Sequence, residues 1–202
     1  MTQNSPFTQS KRLGRPKSEA ATAHEAILDA VQTLLQEKSV RDLTMEAVAK
    51  RAGVGKPTLY KWWPSKAALV LALFQERLEL QPRPAAGQSF EEEIRSRVRL
   101  VITEYQGLLG RITAEIVAEG QSDPTILQEF YNRHVAIRRA EVISAIEHAK
   151  ARGELRQETH AEVLVDELFG PIYYRLILRI TPFDATWGDQ LVDQVLDGLR
   201  LA

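Results

Sequence analysis

The sequence predicts an all-α protein: an N-terminal three-helix head with a helix-turn-helix, followed by a larger helical body. Three observations carry that expectation. Apolar residues recur at helical spacing along most of the chain. Prolines and glycines fall largely between those stretches. Alternating β-branched or aromatic runs bounded by turns, the mark of strands, are absent, and no repeat recurs at solenoid periods.

Each element follows from local signals. Residues 1–18 lack periodicity and read as a flexible basic arm. From Ala20 to Glu37, Ala23, Ile27, Ala30, Val31, Leu34 and Leu35 fall on one helical face. Thr44 is a predicted N-cap for a short helix to Ala52, stopped by Gly53, although Ala47 stands where a capping box would place an acid. A second short helix fits Lys56 to Trp63, with Pro57 in its first turn. Pro64-Ser65 ends it and caps a helix carrying Ala68, Leu69, Leu71, Ala72 and Phe74. The segment QPRPAAGQS (81–89) is a boundary, and helices are expected at about 89–108, 111–119, 124–151, 160–180 and 186–201. Pro171 should kink or interrupt the fourth of these. The expected division is an arm at 1–18, a helix-turn-helix head at 19–66 and a body at 67–202.

Composition narrows the function classes. At 202 residues, 44% hydrophobic and 26% charged, the chain is long enough to bury a core without staples. It has no cysteine, which excludes disulfides, cysteine-ligated zinc or iron–sulfur centres and a thiol nucleophile, and suits a reducing cytoplasm. The longest apolar run, Ala67 to Phe74, is too short to span a bilayer, and no secretory signal is visible, so a soluble cytoplasmic protein is expected. The net charge of −1 hides an asymmetry: residues 1–64 hold ten Lys/Arg against six Asp/Glu, whereas 65–202 hold sixteen against twenty-one. Lys11, Arg12, Arg15 and Lys17 fall in the acid-free first 18 residues. A basic end on an acidic body suits a polyanionic partner, and suits a solvated tail equally well.

The head carries the sharpest motif. Two short helices joined across Gly53-Val54-Gly55 form a helix-turn-helix candidate. Ala49 is small enough for close approach, Gly53 can take the left-handed turn conformation, and Val48, Val54 and Leu59 supply the apolar contact. The other face of the second helix offers Lys56, Thr58, Tyr60, Lys61 and Trp62, chemistry suited to phosphates and base edges in a major groove.

The run LTMEAVAKRAGVGKPTLYKWWPSKAALVLALF (43–74) resembles the DNA-binding head of the TetR family of bacterial transcriptional regulators, TLYKWWPSK resembling the recognition helix and its following turn. GRPKS (14–18) is also common in such regulators, and GPIYYRLIL (170–178) resembles the dimerising C-terminal helices of some members. The resemblance implies phosphate contacts from Thr44, Tyr60 and Lys66. It also implies that Gly55, Lys56, Pro57, Thr58, Lys61 and Trp62 line the recognition helix, with Trp63 anchoring it in the core. Many members carry a histidine–aromatic pair where this chain has Trp62-Trp63, so base contacts there do not transfer.

The body shows no catalytic motif or metal-ligating pattern, and its four histidines are scattered, so neither an enzyme nor a cofactor is expected. A long apolar series, Leu127, Phe130, Tyr131, His134, Ile137, Val142 and Ile146, faces a core or cavity. The stripes at 160–180 and 186–201, the second including Leu199, suit a homodimer interface, with Phe169 and Leu176 as its test positions, or the monomer's own core. In the family a ligand pocket lies among the helices between head and interface, which here implies Tyr105, Phe130, His134, Phe169 and Tyr173, residues that ordinary core packing would also use. The function so implied is a sequence-specific, ligand-responsive repressor that binds a palindromic double-stranded DNA operator as a homodimer and leaves it when an unidentified small molecule binds. A DNA-binding architectural or co-regulator protein without an effector, and a helical enzyme or carrier with a vestigial head, are the alternatives.

Overall fold

The computed structural model describes residues 19–79 and 88–198; the basic arm, nearly all of the linker and Leu199 lie outside them. The described residues form ten α-helices and one π-helical turn, with no strand among them. In the head, α1 (Glu19–Glu37) packs across α2 (Met45–Ala52) and α3 (Lys56–Trp62), and α4 (Lys66–Glu79) leads into the body. The body comprises α5 (Phe90–Tyr105), α6 (Leu108–Gly120), α7 (Pro124–Phe130), the π turn Tyr131–Val135, α8 (Ala136–Ala151), α9 (Ala161–Leu178) and α10 (Ala185–Asp197).

Local chemistry sets the helix ends. Thr44 Oγ1 accepts the Ala47 N–H at 3.1 Å, capping α2. Gly53 ends it at φ 68°, where a side chain would be strained, and Val54 donates back to the Ala49 carbonyl at 3.1 Å. Ser65 Oγ accepts the Ala68 N–H at 3.0 Å to start α4. Ser89 and Glu92 form a reciprocal capping box on α5, and Asp184 caps α10 through the Trp187 N–H at 2.9 Å.

Two apolar cores result. The first joins Ile27, Val31, Leu35, Val48, Leu59, Trp63, Leu69 and Phe74 of the head and α4 to Ile112 and Ile116 of α6 and Phe130 of α7. The second is built by α5, α8, α9 and α10, from Ile94, Val98 and Ile102 to Ile146, Leu168, Ile172 and Val192. Helix α10 lies hard on α5: a Cβ on Gly188 would stand 2.5 Å from Ile102 Cδ1, and Arg99 grips Asp189 through two bonds of 2.7 and 2.6 Å.

Two expectations need correction. The helix expected over 124–151 contains the π turn, whose wider i→i+5 bonding rotates the helix that follows. Phe130, His134, Val142 and Ile146 therefore face inward, while Tyr131 (45% exposed) and Ile137 (54%) face solvent. Pro171 does not interrupt α9, which runs unbroken from Ala161 to Leu178. The carbonyl left without a donor is that of Glu167, an exposed residue whose backbone water can reach. Helix α10 runs from Ala185 to Asp197, and residues 199–201 of its expected span lie outside the described residues.

Head and body are joined by polar contacts as well as by the shared core. Glu115 of α6 accepts the buried Val40 N–H at 2.6 Å, and Arg111, paired with Glu115 at 2.7 Å, donates to the Leu35 and Lys38 carbonyls. From α4, Lys66 Nζ donates to the carbonyls of Val40 and Arg41 at 2.8 and 3.1 Å. The loop between α1 and α2 is thus held from two sides. Helix α6 itself starts against α5: a Cβ on Gly110 would fall 1.9 Å from the Tyr105 carbonyl oxygen, so only glycine fits there.

Candidate nucleic-acid interface and interior polar cluster

Leu59, fully buried, pins α3 to the head core and turns the opposite face outward. Gly55, Lys56, Pro57, Thr58, Tyr60 and Lys61 are exposed on that surface, and Thr44 is exposed at the start of α2. Lys56 pairs with Glu46 at 2.9 Å, each holding the other charged: Lys56 is raised and Glu46 lowered, chiefly by their mutual hydrogen bond. Both side chains are more than half exposed, so exchanging Glu46 for a phosphate costs little.

Two of the expected contact residues are otherwise engaged. Trp62 is half-buried against His24 of α1, ring centroids 5.5 Å apart, and His24 also lies 4.9 Å from the buried Trp63. Lys66 is half-buried and spends two of its three donors on the α1–α2 loop.

On the far side of the body, α9 presents Val163 (53% exposed), Tyr174 (59%) and Ile177 (44%) on one stripe with Gly170 between them. Nothing lies within 4 Å of where a Gly170 Cβ would be. Phe169 and Leu176 instead turn partly inward against the second core.

The five interior residues expected around a ligand do not form one group. Phe130 and His134 stack at 5.0 Å and meet Phe74 in the first core, whereas Tyr105, Tyr173 and Phe169 belong to the second. Between the two stands an ion pair that sequence reasoning missed. Arg138 of α8 donates to both carboxylate oxygens of Glu104 on α5, at 2.9 and 3.0 Å. The Glu104 side chain is only 2% exposed, that of Arg138 29%. A signal for both exists in the sequence: Glu104 is three residues beyond buried Val101, and Arg138 falls in the i+4 series Phe130, His134, Val142, Ile146.

The polar groups around this pair are incompletely matched. The Tyr105 and Tyr173 hydroxyls meet at 3.0 Å, and burial raises both phenols above their ordinary range, so they stay protonated. Thr113 Oγ1 lies near Tyr105 without a bond of good geometry, and His134 Nε2 has no partner. Each such buried orphan costs about 1–3 kcal/mol.

Burial, helped by the Arg138 charge, pushes His134 down to about 3. An unfolded histidine takes a proton near pH 6.5, so between there and pH 3 the unfolded chain binds a proton the folded one refuses, and stability falls as pH drops. Urea unfolding should therefore show the native chain losing about 2 kcal/mol more than His134→Phe between pH 7 and pH 5. Equal losses would rule out a buried neutral imidazole.

Comparison with known proteins places both halves. Residues 27–73 match the family model described as bacterial regulatory proteins, tetR family, and residues 84–195 match the tetracyclin repressor-like C-terminal domain. The chain is 33% identical over 195 residues to the uncharacterized HTH-type transcriptional regulator YdeS of Bacillus subtilis, covering 95% of this chain and 96% of that one. It is 26% identical over 162 residues to the HTH-type transcriptional regulator UidR of Escherichia coli, covering 76% and 82%. Among solved structures, the TetR family transcription regulator SCO0332 superposes with a TM-score of 0.69 at 34% identity, over 87% of this chain and 97% of the other. Salmonella enterica GusR shares the fold at a TM-score of 0.69 and 23% identity, over 89% and 98%.

Proposed function

The chain belongs to the TetR family of bacterial regulatory proteins and is a DNA-binding transcriptional regulator, and from that premise we propose that it represses transcription by occupying a two-fold operator until a small molecule removes it. The observation that carries this reading is the outward face of α3, with Lys56, Thr58, Tyr60 and Lys61 exposed while Leu59 is locked in the core. Residues 19–66 act as the DNA-binding unit and 67–202 as the regulatory unit. Gly55, Lys56, Pro57, Thr58 and Lys61 enter the major groove, Thr44 and Tyr60 hold phosphates, and Trp62 borders the groove while bracing α3 on α1. The dimer forms through α9 and α10, and sets two α3 helices in successive major grooves, about 34–36 Å apart for one turn of DNA. No helix among the described residues is long and apolar enough to cross a membrane, in keeping with action on DNA in the cytoplasm.

The effector binds within the body, with Tyr105, Phe169 and Tyr173 of the second core and Phe130 and His134 beside the first as its candidate contacts. It empties the operator only to the extent that it prefers the conformation in which the heads are misplaced.

Selection of sites from random duplex DNA at two salt concentrations tests the reading. A palindrome with half-sites one turn apart is the expected result; binding without enrichment that vanishes at moderate salt would leave only electrostatic attraction. Lys66 has one donor beyond its two loop bonds, and that donor is assigned to a phosphate. Lys66→Ala should lower the salt slope of operator binding by about one, weakening all sequences alike. An unchanged slope with a lower melting temperature would confine Lys66 to the loop.

A further inference from the structure

We infer that the effector is an uncharged, oxygen-bearing aromatic compound, recognised at the Glu104–Arg138 pair by the Tyr105 and Tyr173 hydroxyls, Thr113 and His134. The inference rests on the reading of the body as the effector-binding unit and assigns that site its chemistry.

Charge decides the class. The charged groups acting on Tyr105, Tyr173 and His134 are Arg138 and Glu104, and they already neutralise each other through two bonds. A carboxylate ligand would set a second anion beside Glu104, whose side chain is only 2% exposed, against the single charge of Arg138. An ammonium ligand would compete for Glu104 with a guanidinium that fits it in fork geometry. A neutral molecule disturbs neither.

Unspent hydrogen-bonding capacity decides the functional groups. In the Tyr105–Tyr173 pair one hydroxyl donates and the other keeps its hydrogen. Thr113 Oγ1 and His134 Nε2 are buried and unpartnered. Two hydroxyl donors and one imidazole nitrogen suit carbonyl and phenolic oxygens. The surroundings suit a flat ring: Tyr105 and Tyr173 stand edge to face at 5.7 Å, and Phe169 packs on the same core.

The test uses the full-length chain and two probes of matched shape, 4-hydroxyacetophenone and 4-hydroxybenzoate. Binding is read by ligand-observed NMR titration, and operator affinity by fluorescence anisotropy. The ketone should bind at least tenfold more tightly than the carboxylate, and Tyr173→Phe should weaken it severalfold. Glu104→Gln frees the Arg138 charge and should reverse the order, so that the carboxylate binds better. If Glu104→Gln does not fold, the Glu104→Gln/Arg138→Gln double variant, again neutral, should keep the ketone preference. A native chain that prefers the carboxylate overturns the charge class, as does an order unmoved in Glu104→Gln. Binding of neither probe, or binding indifferent to Tyr173→Phe, overturns the site. Failure of the effector reading looks different: the ketone binds with all these dependences and leaves operator affinity unchanged.

Discussion

Aspartate at both Tyr174 and Ile177 should give a folded monomer whose operator affinity is lower by about a hundredfold to ten-thousandfold. Both side chains stand out from α9, at 59% and 44% exposure, so the charges cost the monomer little. With Val163 they form an apolar stripe that a lone soluble chain has no reason to display. In the proposed dimer, two-fold pairing of that stripe makes the second head's binding intramolecular, and losing it forfeits the effective concentration. Sedimentation velocity and anisotropy titration on one operator measure both effects. Gly170 gives a companion result of opposite sign. A mid-helix glycine costs about 1 kcal/mol relative to alanine, and its Cβ position is open, so Gly170→Ala should stabilise the isolated fold. If two α9 helices cross there, the same methyl group should weaken the dimer. A dimer of unchanged strength in Tyr174→Asp/Ile177→Asp would move the interface to another face.

Arg138→Ala should lower the free energy of unfolding by about 3–5 kcal/mol, the cost of leaving a buried carboxylate without its partner. Glu104 cannot turn to water, because its side chain is 2% exposed and both its oxygens are spent on Arg138. The reciprocal change is gentler: Arg138, already 29% exposed where it stands, stays partly hydrated when Glu104→Gln removes its counter-charge. Replacing the pair together, as Glu104→Leu/Arg138→Met, should recover most of the loss. Urea denaturation of the four chains at pH 7 measures the asymmetry. A loss below 1 kcal/mol in Arg138→Ala would mean that the pair is solvated in solution.

What was legible in the sequence divides by range. Thr44, Gly53, Pro57 and Ser65 act on atoms within a few residues of themselves, so the head's helices could be placed from their letters alone. The body's helices were found by the same means, with errors where a distant contact or a backbone irregularity decides. The π turn at 131–135 has no composition of its own, and it turned Tyr131 and Ile137 outward against their apparent periodicity. The exposed face of α3 followed from the spacing of Leu59, whereas the packing of Trp62 on His24 joins positions 38 apart and no local rule reaches it. Glu104 and Arg138 were overlooked for the same reason: a charge in an apolar face signals burial, but only the fold names its partner.

The grip on the α1–α2 loop ties the head to α6 by bonds that need no moving part. Gly110 sets the angle at which α6 leaves α5, because its backbone rests on the Tyr105 carbonyl. Arg111, the next residue, and Glu115, one turn beyond it, hold the segment that leads into Thr44 and α2. In the proposed mechanism a displacement at Tyr105 would reach the head through α6 as a tilt, passed on by these bonds to the α1–α2 loop. On that reading α6 carries the head as a spindle carries the pointer of a gauge.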